Sequence, residues 1–274
     1  MAGYFDSHAH YWDERFAAEW PGGAEALLPT LFAGEVTGIV NVGTSPETSR
    51  LAIAQAKQYP GMFAAAGIHP TDGEELPDTE RAVREIDELF SHPENKLVAL
   101  GEIGLDYHFP PFDRERQLAL FHAQLDLARS LDVPVLVHDR DAHGDCVAAV
   151  QEHPGVRGVF HSFSGSAETA QELLRLGFYI SFSGTVSFRN APKVAGVART
   201  VPRDRVLIET DCPYLAPHPH RGELNHSGLL PFTAAALAAF WEMDAEKVAD
   251  ITRQNAECFF RLPSGISPAL AKEQ

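Results

Sequence analysis

Tyr4-Phe5-Asp6-Ser7-His8-Ala9-His10 begins as an apolar run and ends on two histidines two positions apart. On an extended strand, residues two apart project to one face, so His8 and His10 point the same way. Neutral imidazole is the commonest side-chain metal ligand, and two on one face begin a metal site. Two incidental histidines would look the same, so the reading depends on whether later strands end in further ligands.

Outward from that stretch, short apolar runs alternate with amphipathic ones. Residues 37–43, 62–70, 96–102, 133–138, 156–161, 178–182 and 205–211 read as seven further strands, some with their exit loops. Residues 46–58, 79–90, 113–130, 145–152, 167–176, 229–241 and 244–260 read as helices. The stretch 113–130 carries Leu118, Phe121, Leu125 and Ala128 at helical spacings of three and four. Near-continuous apolar strands suit burial on both faces, as parallel strands require. Eight strand–helix units with no break in composition predict a single α/β domain over 1–262, a (β/α)8 TIM barrel. The polar, proline-containing stretch 263–274 reads as a flexible tail.

A chain of 274 residues with 45% apolar content can bury the core that such a barrel needs. No run of about 18 apolar residues is present, which predicts no membrane span. The N-terminus lacks a basic segment followed by an apolar one, so a cytoplasmic location is the expectation. Cys146, Cys212 and Cys258 are odd in number and widely spaced, which is neither a disulfide framework nor a structural zinc pattern. The net charge of −16 argues against broad electrostatic capture of nucleic acid. A phosphate-ester substrate would need that field offset locally, and bound divalent metals would do so.

Functional residues of such barrels sit at the C-terminal strand ends. His8 and His10 end the first strand, Glu102 the fourth, His138 the fifth, His161 the sixth and Asp211 the eighth. Any one of these could be a hydrogen-bonded core residue or a strand-end cap. Six at matching strand ends are harder to explain that way, because buried carboxylates are costly unless paired or bound to a cation. Six ligands exceed the needs of one tetrahedral ion, which points to two divalent ions. Glu102 suits a bridge between ions about 3.5–4 Å apart, with His8, His10 and Asp211 on one and His138 and His161 on the other. Nitrogen and oxygen donors without thiolate leave Zn, Mn, Co, Fe and Mg open. Cys212 faces away from Asp211 on a strand and reads as packing.

Asp211 and Glu102 are thus the expected catalytic carboxylates. Glu209, two residues before Asp211 on the same strand face, reads as a residue behind the ligands. Asp106 and Asp141, in the loops after strands four and five, read the same way. Arg140 and Arg221 lie in loops at the correct end to grip phosphate oxygens. Ser162, heading Ser162-Phe163-Ser164-Gly165 before a helix, is placed to offer N–H groups to an anion. Tyr107, Phe109, Phe112 and Phe163 are candidates for stacking on bases.

At these positions the chain resembles the TatD family of metal-dependent deoxyribonucleases, among the amidohydrolase-type barrels. The matching segments are Asp6-Ser7-His8-Ala9-His10, Gly67-Ile68-His69-Pro70 and Gly101-Glu102-Ile103-Gly104-Leu105-Asp106-Tyr107. His138-Asp139-Arg140-Asp141-Ala142, His161-Ser162-Phe163-Ser164-Gly165 and Glu209-Thr210-Asp211-Cys212-Pro213-Tyr214 complete the set. The resemblance implies a binuclear metal site and hydrolysis of DNA, commonly from a 3′ end. Its ligands carry over to His8, His10, Glu102, His138, His161 and Asp211. Two departures lie in loops. Arg221-Gly222-Glu223-Leu224-Asn225-His226-Ser227 has Ser227 where the family pattern Arg-Gly-x-x-Asn-x-Pro has proline, and Trp20-Pro21-Gly22-Gly23 is unlike the family's compact entry to its first helix. Both bear on substrate preference.

Two other functions compete. An amidohydrolase-type enzyme would act on an amide, lactone or phosphotriester, and a deacylase of aminoacyl-tRNA is a narrower form of it. Such sites often bridge their metals with a modified lysine on strand four, where this chain has Glu102, and Lys96 begins that strand at the wrong end. A non-enzymatic metal-binding scaffold would be expected to have lost ligands, and none is lost. The expected partner is DNA or another phosphate ester, with no membrane and no obligate protein partner.

Overall fold

The computed structural model describes residues 3–263. Eight strands form one parallel sheet in sequence order. They are β1 (Tyr4–Ala9), β2 (Val36–Val42), β3 (Met62–Ala66), β4 (Leu97–Asp106), β5 (Val135–Arg140), β6 (Gly158–Phe160), β7 (Tyr179–Phe182) and β8 (Val206–Ile208). The outermost strands β1 and β8 meet just past the end of β8. Ala9 bridges Cys212, His10 N–H donates to Cys212 O, and Asp211 N–H donates to His8 O. Side chains close the rest of this seam. The buried Asp6 carboxylate accepts from Thr210 N at 2.9 Å, Thr210 Oγ1 at 2.6 Å and Ser227 Oγ at 2.6 Å. The expected TIM barrel is the fold.

Helices fill the connections in order. α1 (Glu14–Glu19) and α2 (Gly23–Ala33) follow β1, α3 (Pro46–Ala56) follows β2, and α4 (Pro70–Glu75) and α5 (Thr79–Phe90) follow β3. α6 (Arg114–Leu131), α7 (His143–Gln151), α8 (Ala167–Arg175) and α9 (Pro192–Thr200) follow β4 to β7, and α10 (Leu230–Trp241) and α11 (Ala245–Phe259) close the chain. Their starts are written locally. Ser45 and Thr48 form a reciprocal capping box at α3, with Pro46 in the first turn. Asp78, Asp113 and Ser166 each accept a backbone N–H at the head of α5, α6 and α8. α1 and α4 have six residues each, too few to show a helical period, and α2 is apolar on most sides with Pro29 inside it. Sequence periodicity therefore passes over them.

Phe5, Val40, Val42, Ala65, Ala99, Leu136, Val159 and Leu207 form one buried cluster with Phe259 and Phe260 at the end of α11. Phe5 stacks on Phe260 with ring centroids 6.0 Å apart. Apolar packing thus seals the N-terminal end of the barrel and leaves the C-terminal end for polar groups. The helix layer packs outside in clusters such as Leu27, Leu28, Leu31 and Phe32 of α2 against Ile39 and Met62. Each such side chain contributes about 1.5–3 kcal/mol by leaving water.

Three strands differ from expectation where the candidate ligands lie. β4 runs on to Asp106, so Glu102 is inside the strand and not at its end. Between Leu100↔Val135 and Ile103↔Val137 the register shifts, so Gly101 and Glu102 occupy a bulge, the device that re-aims a side chain. β1 shifts likewise between Asp6 and Ala9, around His8. Gly104 has φ +140, and a Cβ there would collide with the His138 carbonyl, so only glycine lets β4 come this close to β5. β8 ends at Ile208, three residues earlier than expected, and Asp211 has a left-handed φ of +58. Strand alternation therefore does not relate Glu209 to Asp211. The tail read at 263–274 lies, beyond Pro263, outside the described residues.

Candidate metal centre

The six expected ligands converge at the C-terminal end of the barrel. His8 Nε2 and His10 Nε2 are 3.1 Å apart. Asp211 Oδ1 lies 3.4 Å from His10 Nε2 and 3.9 Å from His8 Nε2. Glu102 divides its two oxygens. Oε2 is 3.4 Å from His8 Nε2 and 3.6 Å from His10 Nε2. Oε1 is 2.8 Å from His138 Nδ1 and 2.9 Å from His161 Nε2, and those two nitrogens are 3.3 Å apart.

The remaining nitrogen of most of these rings faces an acceptor. His10 Nδ1 is 2.8 Å from Val42 O, which can only accept, so Nδ1 holds the proton and Nε2 presents its lone pair to the site. His138 Nε2 is 3.0 Å from Asp106 Oδ2. His161 Nδ1 lies 3.3 Å from Glu209 Oε1, out of line for a hydrogen bond, and His8 Nδ1 is buried without a partner. A neutral imidazole has one proton, yet His138 faces a carboxylate at each nitrogen. Lone pairs thus point at lone pairs and at carboxylate oxygens, an arrangement that needs extra protons or a cation between them. Three groups of ligand atoms lie within 4.8 Å of one another: His8, His10 and Asp211; His8, Glu102 and His161; His69, Asp106 and His138. The donor set fits a divalent metal.

Charge follows the same division. Burial opposes ionisation of Glu102, but His161, His69 and His138 outweigh it and hold its carboxyl well below the usual range. Burial likewise works against Asp211, and the hydrogen bond with His10 and the other imidazoles hold it down at about 2. Asp106 is also held at about 2, where the bonds with His138 and the His108 N–H overcome burial. Burial lowers His161, but Glu102 and Glu209 lift it well above the ordinary imidazole value. His69 is pushed down to about 3 by burial and by His138, so it is neutral at working pH.

His69 was overlooked as a site residue in the sequence, where it is only part of Gly67-Ile68-His69-Pro70. Its Nε2 lies 3.7 Å from Glu102 Oε1. The Thr71 N–H donates to His69 Nδ1 at 3.3 Å, which leaves the proton on Nε2, facing the ligands. The signal was available: His69 lies just past the C-terminal end of β3, as His10, His161 and Asp211 lie just past the ends of β1, β6 and β8.

Asp106 and Glu209 lie against the outer nitrogens of His138 and His161. Glu209 is fully buried and accepts from Ser162 N at 2.6 Å, Ser181 Oγ at 2.6 Å and Ser7 Oγ at 3.3 Å. That placement corrects Ser162. Its N–H is committed to Glu209, its hydroxyl to Ser183 at 2.8 Å, and the next N–H, of Phe163, to Ser181 O. Neither of these N–H groups is offered to an anion. Asp141 is corrected too, because it is exposed and pairs with His108 at 2.7 Å instead of with a ligand imidazole.

Arg140 and Arg221 are exposed, and neither has a carboxylate partner among the described residues. Arg140 lies 5.0 Å from the Phe109 ring centroid and Arg221 4.1 Å from that of Phe188. Ser227, which stands in place of the family's proline, is fully buried, and its N–H donates to Tyr11 OH at 2.9 Å. Its hydroxyl bonds Asp6, so this departure is taken up in the barrel seam and does not face a substrate. No helix among the described residues is long and apolar enough to cross a membrane.

Comparison with known proteins agrees with this geometry. The family described as TatD related DNase matches residues 5–261. A Bacillus subtilis protein described as the uncharacterized metal-dependent hydrolase YabD is 39% identical over 260 residues, covering 94% of this chain and 99% of its own. The uncharacterized metal-dependent hydrolase TatD of Mycobacterium tuberculosis is 34% identical over 257 residues, covering 92% and 95%. Among solved structures, the TatD homologue YjjV of Escherichia coli superposes with a TM-score of 0.86 at 29% identity, over 95% of this chain and 98% of that one.

Proposed function

The chain belongs to the TatD-related family of metal-dependent hydrolases, and from that premise we propose that it hydrolyses phosphodiester bonds of DNA, working from a 3′ end, with two divalent ions. The observation that carries this reading is the division of Glu102, whose two oxygens each face a separate pair of imidazoles. His8, His10, Asp211 and Glu102 would hold one ion, and His138, His161 and Glu102 would hold the other. Bound there, divalent cations supply Lewis acidity, which lowers the pKa of water and offsets charge on phosphoryl oxygens.

The chain's own groups divide the remaining tasks. Asp211 is ionised, and its side chain is 16% exposed against 5% for Glu102, so it is the carboxylate placed to take the proton of the attacking water. His69, neutral and with its proton on Nε2, donates to a phosphoryl oxygen. Asp106 and Glu209 hold the rings of His138 and His161 in orientation. Arg140 and Arg221, free of carboxylates, take the non-reacting phosphates.

The test is a hydrolysis panel run on chelator-stripped protein reloaded singly with Zn, Mn, Mg, Co or Fe. Single-stranded DNA with a free 3′ end should be cleaved, 3′-blocked DNA should be resistant, and the stripped protein should be inactive. Turnover of lactone, amide or phosphotriester with none on DNA would overturn the substrate assignment. Full activity with one ion per chain would overturn the paired-ion assignment.

A further inference from the structure

Four aromatic side chains near the barrel mouth are candidates for contact with bases, and the structure separates one from the rest. Tyr107 and Phe112 stack on each other, with centroids 4.7 Å apart and planes 9° apart, and Tyr107 OH donates to Asp145 at 2.8 Å. Phe163 is buried at 2% exposure. Phe109 is 69% exposed, the highest value among the large apolar side chains of the described residues. One exposed phenylalanine is ordinary by itself, so what sets Phe109 apart is the segment that holds it and the groups around it.

The loop that displays it is tied to the metal ligands. It leaves β4 directly after Asp106, whose Oδ2 faces His138 Nε2 at 3.0 Å and whose Oδ1 accepts the His108 N–H at 2.9 Å. Tyr107 N–H donates to Arg140 O at 2.9 Å, joining the loop to the end of β5. Pro110 and Pro111 follow Phe109 and restrict the backbone on its other side. The ring is therefore held on a short, fastened segment whose neighbour on β4 positions a ligand.

Its surroundings are those of a nucleotide subsite. The Arg140 guanidinium lies 5.0 Å from the ring centroid, and the His108 ring meets it edge-on at 4.4 Å. The acids that flank Arg140 are occupied, Asp139 by His143 and Asp141 by His108, each at 2.7 Å. In a chain of net charge −16, an arginine kept from its two neighbouring acids remains available for phosphate. An aromatic face beside such a cation accepts an unstacked base and the phosphate next to it.

We propose that Phe109, with Arg140 beside it, seats an unstacked base of the strand being cut and so sets the affinity for that strand. The assignment rests on the phosphodiesterase reading above. Bases within a duplex are stacked on each other and cannot reach the ring without being flipped out.

The test compares the metal-loaded parent with Phe109→Ala and Phe109→Trp on two single-stranded oligonucleotides, one normal and one abasic at its 3′-terminal positions. Loss of one stacking contact should raise KM of Phe109→Ala on the normal oligonucleotide about tenfold. Its kcat should stay within about twofold, since the ring touches no reacting atom. Phe109→Trp should restore KM, and its indole fluorescence should be quenched by the normal oligonucleotide and not by the abasic one. On abasic substrate, parent and Phe109→Ala should have the same KM. An unchanged KM on the normal oligonucleotide, or an equal rise on both, overturns the proposal while leaving phosphodiesterase activity in place. Failure of the parent to cleave either oligonucleotide overturns both assignments and so identifies the earlier one as the fault.

Discussion

The floor of the barrel mouth and the loops above it are built from residues only a few positions apart, yet they are held in opposite ways. On the floor His8 and Glu209 are fully buried and Glu102 is 4% exposed. There the second nitrogens of His10, His138 and His161 face Val42 O, Asp106 and Glu209. Above it, Arg140 at the end of β5 and Arg221 in the loop after β8 rest on phenylalanine rings and answer to no carboxylate among the described residues. A buried charge is tolerated only with its partners fixed, so the floor admits little change. An exposed cation carries no such constraint, so the loops can alter what is bound without disturbing the chemistry below.

The comparison can be broken most decisively on the floor. Glu102→Ala removes the one group that faces both imidazole pairs, and kcat should fall by about 10³-fold or more, with metal content falling alongside. Unchanged kcat would show that the reactive centre lies elsewhere. One layer out, Asp106→Asn and Glu209→Gln exchange the carboxylates facing His138 and His161 for amides of the same shape. Metal affinity, read by competition with a chromophoric chelator, should drop about 10–100-fold, with most of kcat recovered at saturating metal. Parent-like affinity would assign these two carboxylates to folding alone. The smallest effect belongs to the loops. Arg221→Ala should raise KM for DNA about three- to tenfold with kcat within about twofold and metal content unchanged. A matching loss of kcat would place Arg221 with the floor.

Much of the floor was legible because strand ends in a parallel barrel converge whatever their spacing in the chain. His8, His10, Glu102, His138, His161 and Asp211 needed only a count of strands to be grouped. His69 is less legible because it follows β3 by three residues, in a turn that heads α4, where a histidine reads as a helix cap and not as a strand end. Ser162 was misplaced for another reason. A serine before a helix resembles an anion cradle locally, but Glu209, 47 residues away, takes its N–H. Asp141 also reads as a neighbour of His138, and only the arrival of His108 from the β4 loop shows where its carboxylate goes. The aromatic candidates were equivalent in sequence, and packing alone distinguished the open Phe109 from its stacked and buried neighbours.

By itself, the sequence determined the barrel, grouped the candidate ligands at one end of it and carried the motifs of the family. The barrel follows from periodicity and the candidate ligands from residue type and the chemistry of imidazole and carboxylate, while the family rests on the resemblance of short motifs, all of which are local. Tertiary structure decided what depends on atoms brought together from far along the chain. The two faces of Glu102 required bulges in β1 and β4, and the tautomer of His10 required a carbonyl from β2. The availability of Arg140 required Asp141 to be taken by His108 from the segment after β4, beside the local pair of Asp139 with His143. Proton positions, bridging geometry and free charge are properties of pairs of groups, and pairs are made only when the chain folds.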